Sequence, residues 1–161
     1  MTTPDPSPPY ALRPAAQDAV TLLKADHALL GQLFAEYQQA SSVANKQTLV
    51  ADICVALSVH TQIEEEIFYP AMQSAMNDQG LIAEAWVGLA DVKGLIAELE
   101  DIEPDGERYD AKVRLLRDQM QHLLDVERRE LFPKARASSL DMAALGARMD
   151  ARIQALLAQA V

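Results

Sequence analysis

The sequence predicts an all-α protein, an antiparallel four-helix bundle with an additional C-terminal helix. Three observations carry that reading. Half of the 161 residues are apolar but few are aromatic, and alanine and leucine dominate while glycine is scarce, a composition that favours helix over sheet. Apolar residues recur at steps of three and four through five successive segments. The connections between those segments are short, which leaves little room for any other topology. The length suits one domain with a sizeable core.

Residues 1–14 are Pro-rich and polar and read as a disordered tail ahead of a bundle domain over residues 15–161. Pro14 suits the first turn of a helix running to about Ala40. Its stripe is Val20, Leu23, Leu30, Phe34 and Tyr37, and His27 occupies the step that an apolar residue would fill. Ser41 to Asn45 reads as a loop with capping residues. The second helix runs to about Ser74 through Leu49, Ile53, Ala56, His60, Ile63 and Ile67, with a kink or early end expected near Tyr69 because Pro70 lacks an N–H. Asn77 to Gly80 is a turn. A third helix over about Leu81 to Glu100 faces Ile82, Trp86, Leu89, Val92, Ile96 and Leu99 inward. After a turn containing Pro104 and Gly106, a fourth runs to about Phe132 through Val113, Leu116, Met120, Leu123 and Leu131. Ser138 and Asp141 resemble a capping box that opens the fifth helix, which buries Leu145, Met149, Ile153 and Leu156.

Charge and cysteine content narrow the function. A formal charge of −10 argues against nucleic acid or an anionic membrane as partner, since either calls for clustered Lys and Arg. The single cysteine, Cys54, excludes an intrachain disulfide and any multi-cysteine zinc site, and it packs as a small apolar residue. No apolar run reaches the length of a membrane span. The start of the chain lacks the basic and apolar regions of a secretion signal, so the chain reads as cytoplasmic.

What remains is a set of polar residues on apolar faces. His60 and Glu64 stand four apart, so both side chains lie on one face of a helix and can present a nitrogen and a carboxylate oxygen to one point. A lone histidine in such a place is more often a core residue bonded to a carbonyl than a ligand. Here all three histidines sit near mid-helix on three different helices, on or beside the buried face. In an up-down bundle His27, His60, Glu64, His122 and Glu127 can therefore converge. The step from His122 to Glu127 covers about 140° of an ideal helix. Sharing a point then needs a locally widened turn, and Asp125 is the alternative carboxylate. Asp26 reads as an exposed or outer-layer acid, Glu65 and Glu66 as solvated, and Trp86 and the methionines as core.

These residues carry a family likeness. LLKADH at Leu22 to His27, HTQIEEEIFYP at His60 to Pro70, and H-x4-E followed by ELFPKAR at Glu130 to Arg136 resemble the hemerythrin-like, HHE cation-binding domain family. SSLDMAALGARM at Ser138 to Met149 resembles the segment that follows the last metal helix in bacterial members. The resemblance implies a hemerythrin-like bundle and a non-haem iron centre, di-iron in the family's pattern, with a mononuclear centre or another divalent metal as alternatives. It makes His27, His60 and His122 ligands and Glu64 and Glu127 bridging carboxylates. The partners it implies are a metal ion and a small diatomic ligand, with oxygen binding or the sensing of oxygen, nitric oxide or iron as the function rather than enzymatic turnover. One departure stands out. The third-helix position at which the family carries histidine is Leu89, preceded by Gly88, so the first coordination shell is one or more nitrogen ligands short. That departure motivates a second reading, a metal-free or mononuclear interaction module. An oxidase or peroxidase working at an open iron position ranks third.

Overall fold

The computed structural model describes residues 17–104 and 106–159, so the Pro-rich tail and Pro14 lie outside the described residues. Helix α1 spans Ala19–Gln39. Helix α2, Val43–Ile63, passes through a π turn, Glu64–Phe68, into α3, Tyr69–Ala75. Helix α4 spans Gln79–Asp101, and α5, Gly106–Val126, passes through a second π turn, Glu127–Leu131, into α6, Phe132–Ala137. Helix α7 spans Met142–Gln159. Among the described residues there is no strand, and no helix is long and apolar enough to cross a membrane.

Four of the rods start where a side chain satisfies an otherwise orphaned N–H. Asp18 accepts from Thr21 N–H at 2.9 Å, Ser42 from Asn45 at 3.1 Å, Asp78 from Leu81 at 3.0 Å and Asp141 from Ala144 at 3.0 Å. The first described helix thus begins at Ala19 behind an aspartate cap. Ser138 does not open the last helix: it is the C-cap of α6 and its hydroxyl donates to the carbonyl of Ala135, leaving Asp141 to start α7. Gly106 begins α5 at φ +79°, in the left-handed region where glycine carries no Cβ penalty.

Connections of three or four residues make successive rods antiparallel neighbours. Helix α1 packs along α2, α4 along α5, and α7 lies across α1 and α2. The buried positions explain why. Val20, Leu23, Leu30, Phe34 and Tyr37 in α1, Ile82, Ala85, Leu89, Val92, Ile96 and Leu99 in α4, and Val113, Leu116, Met120 and Leu123 in α5 are all buried. Their alternating steps of three and four are the spacing of interlocking side chains in a bundle.

Of the described glycines, Gly146 of α7 is the most tightly covered. A Cβ there would sit 2.1 Å from the carbonyl oxygen of Gln17 and 2.8 Å from the backbone nitrogen of Ala19, so the backbone leading into α1 runs directly over this glycine. Gly146→Ala is expected to cost about 3 kcal/mol, because backbone atoms cannot give way as a side chain can. Gly94 has nothing within 4 Å of its notional Cβ, so Gly94→Ala should stabilise by roughly 0.5–1 kcal/mol through helix propensity alone. Urea denaturation of the two variants checks both signs.

Candidate metal centre

The stripe of α2 runs through Ile53, Ala56, Leu57, His60, Ile63 and Glu64, all buried. That of α5 continues by the same steps from Met120 and Leu123 to Glu127, which is also fully buried. Polar side chains therefore occupy core positions because they fall in phase with the apolar ones, and the bundle carries them inward with the rest. His27 holds the corresponding place in α1, with its side chain 13% exposed.

Four of the five residues singled out from the sequence come together. One donor atom from each of His27, His60, Glu64 and Glu127 lies within 4.8 Å of the others. His60 Nε2 stands 2.9 Å from Glu64 Oε1 and His27 Nε2 3.9 Å from Glu127 Oε2, yet none of these atoms has a hydrogen-bond partner. They gather around one shared space. Donors to a first-row ion sit about 2.0–2.2 Å from it, so opposite donors stand about 4.2 Å apart, and closing this set on an ion requires only a small contraction.

His122 does not join them. It is exposed, because it precedes buried Leu123 by one residue, about 100° around the helix from the inward face. The widened turn invoked to bring His122 and Glu127 together lies after Glu127, not between the two. Asp125, the alternative carboxylate, is half exposed and paired with Arg128 at 2.6 Å. Leu89 is buried, and at the adjacent Gly88 a Cβ would meet Leu123 Cδ1 at 3.0 Å, so α4 meets α5 here with apolar contact alone.

Asp26 does more than its sequence position suggested. It is buried, and its Oδ2 lies 3.1 Å from His60 Nδ1. A carboxylate partner requires that nitrogen to carry the proton, which leaves Nε2 as the lone-pair atom facing Glu64. His27 stacks on Phe132 at 5.5 Å and meets the edge of His60 at 5.1 Å.

Both glutamates begin a π turn. Glu64 O accepts from Tyr69 N–H and Glu127 O from Phe132 N–H, one residue further than in an α-helix. In each case a proline follows, Pro70 and Pro133, which offers no N–H to the carbonyl four residues back. The identical six-residue interval from glutamate to proline was the signal in the sequence that could have revealed both turns. The first brings Tyr69 inward, and its buried hydroxyl also lacks a partner.

Electrostatics follow from burial. Burial, then the repulsion of Glu64, holds Glu127 well above the usual carboxylate range. Burial is the largest influence on Glu64 and pushes it up, but the neighbouring His60, Glu127 and His27 together leave it below the usual range. Burial lowers His27 to about 3, with His60 adding to the effect. Burial and the charges of Glu64 and Glu127 raise the Tyr69 phenol well above its ordinary value.

A family model described as the hemerythrin HHE cation binding domain matches residues 18–135. A DNA nickase from Nostoc sp. (strain PCC 7120) is 27% identical over 115 residues; these are 71% of this chain and 32% of that protein, so the chain spans about a third of its relative's length. The crystal structure of a hemerythrin HHE cation binding domain-containing protein from Mycobacterium kansasii superposes with a TM-score of 0.78. It covers 89% of this chain and 90% of its own at 21% identity, a likeness of fold.

The metal-free chain should show the Glu127 effect as a slope in stability. A raised folded-state pKa means the folded chain keeps a proton that the unfolded chain releases above about 4.5. The stability gained is complete below that pH and is lost as pH rises through the folded value. Glu127→Gln, neutral at all pH, is therefore expected to gain stability relative to the parent as pH rises from 5 to 8. Urea midpoints of chelator-treated protein measure the difference, in which the opposite slope from His27 cancels.

Proposed function

The chain belongs to the hemerythrin HHE cation-binding domain family, and from that premise we propose a non-haem iron protein that binds or senses a small diatomic ligand such as O₂ or NO, with His27, His60, Glu64 and Glu127 holding one iron ion. The observation that carries this reading is the set of six donor atoms on these four residues, all buried and without partners. Buried polar atoms left unpaired are costly, and a cation shared among them removes that cost at once.

The donor set favours one firmly held ion over the two in the family's pattern. Two carboxylates balance one divalent charge and two neutral imidazoles complete a four-donor shell. A second ion at the usual spacing of about 3.5–4 Å needs further donors, and the residues expected to supply them are apolar Leu89 and outward-facing His122. The same nitrogens and oxygens accept zinc or manganese. Iron, when bound, supplies a redox couple and open coordination positions for a diatomic ligand. The chain's own contributions are local. Asp26 fixes the His60 tautomer and raises the basicity of Nε2. Phe68 and Phe132, both buried, keep bulk water from the centre. Tyr69 keeps its phenolic proton and presents a buried donor at the level of the glutamates.

Leu89 gives the rival reading, a metal-free interaction module in the same fold, whose melting temperature would ignore chelator and added iron alike. DNA nicking is said of the Nostoc relative and is not proposed here, since the chain corresponds to a third of that protein and carries a strongly acidic charge. We place the chain in the cytoplasm, the compartment its composition suggests.

Elemental analysis of protein produced with iron tests the assignment. About one iron per chain is expected, none in His27→Ala/His60→Ala, and an unchanged amount in His122→Ala. Close to two irons, or loss of iron in His122→Ala, would restore a dinuclear centre using that histidine. Asp26→Asn should keep the fold and weaken iron binding by roughly 10–100-fold, read by competition with a chelator of known affinity.

A further inference from the structure

Of the four donor residues only His27 reaches the protein surface: its side chain is 13% exposed, against 1% or less for His60, Glu64 and Glu127. It does so at the floor of a groove between α1 and α5, about 660 Å³ in volume. The α1 wall is Lys24, His27, Ala28 and Gly31, and the α5 wall is Met120, Gln121, Leu124 and Asp125, continued by Arg128 at the start of the π turn. The three- and four-residue steps on each side put all of these on one facing surface. At Gly31, one turn beyond His27, a Cβ would meet nothing within 4 Å, so the groove is open one turn along α1 from the imidazole.

Its charge departs from that of the molecule. Lys24 and Arg128 line it with one acid, Asp125, which pairs with Arg128 at 2.6 Å, leaving a local excess of one positive charge on a chain whose formal charge is −10. A positive mouth on a negative protein attracts small anions and repels metal cations, and fields focused in a cleft change association rates by tenfold or more. We infer that this groove is the entrance by which small anionic ligands reach the centre, with Lys24 and Arg128 selecting charge and Gly31 setting the bore. The inference rests on the iron reading above and adds to it a route.

Azide is the probe. Its association with the iron(III)-loaded full chain is followed by stopped-flow through the visible absorption that appears on binding. For the parent the rate should fall as salt is added. Lys24→Glu/Arg128→Glu should slow association about tenfold, leave dissociation unchanged and reverse the salt dependence. Gly31→Leu, whose side chain enters open space at an exposed helical position, should slow association and dissociation together and leave the affinity unchanged. Iron content and melting temperature, measured on each variant, show that fold and centre are intact. Unchanged rates in both variants, or an iron-loaded parent that binds no azide, would overturn the entrance. A parent that holds no iron at all would instead overturn the iron reading, a failure that elemental analysis registers before azide is added.

Discussion

Two carboxylates and two imidazoles are enclosed in the core of this bundle with most of their polar atoms unpartnered, and the rest of the site is arranged around that constraint. Removing a charged group from water is costly unless it is paired or neutralised. The chain meets the cost in part by shifting His27 and Glu127 toward their neutral forms through burial, and in part by binding His60 to Asp26. What it leaves unmet is the electron-rich space between Nε2 of each histidine and the glutamate oxygens. A core selected for stability alone would fill these positions with leucine, as it does at Leu89 and Leu123.

The scaffold supports this arrangement because the helices around it are locked by ordinary means. Four helices carry side-chain N-caps, interlocking stripes run along α1, α4 and α5, and α7 is held against the entry to α1 at Gly146. Ion pairs such as Arg152 with Glu66 and Arg136 with Asp18 join the rods at the surface, where such contacts contribute little individually. Rigidity in the bundle lets a few poorly satisfied groups persist at its centre, as binding sites require.

Much of this was legible in the sequence, because the bundle and its site obey one periodicity. Val20, Leu23, His27, Leu30 and Phe34 form a single stripe, and reading His27 as a member of it places the residue inside. The same reasoning works for His60, Glu64 and Glu127. It fails at His122, where a motif match pulled against the stripe: Leu123 holds the inward position and its neighbour cannot. The π turns escaped because an extra residue in a helix changes no composition and leaves only the proline spacing as a trace. Asp26 escaped in part because its partner, His60, lies 34 residues away in another helix, a distance local periodicity cannot bridge.

The two π turns also divide each of their helices into halves with separate phases. Before Glu64 the inward stripe is that of α2; after the turn Phe68, Tyr69 and Met72 are buried, one residue out of step with its continuation. Leu131, Phe132 and Ala135 stand in the same relation to α5. Each turn acts as a one-residue insertion absorbed within the helix, and each falls directly below a glutamate. The aromatic floor and the polar layer above it are thus indexed independently, so a change of side chain in one layer leaves the register of the other untouched.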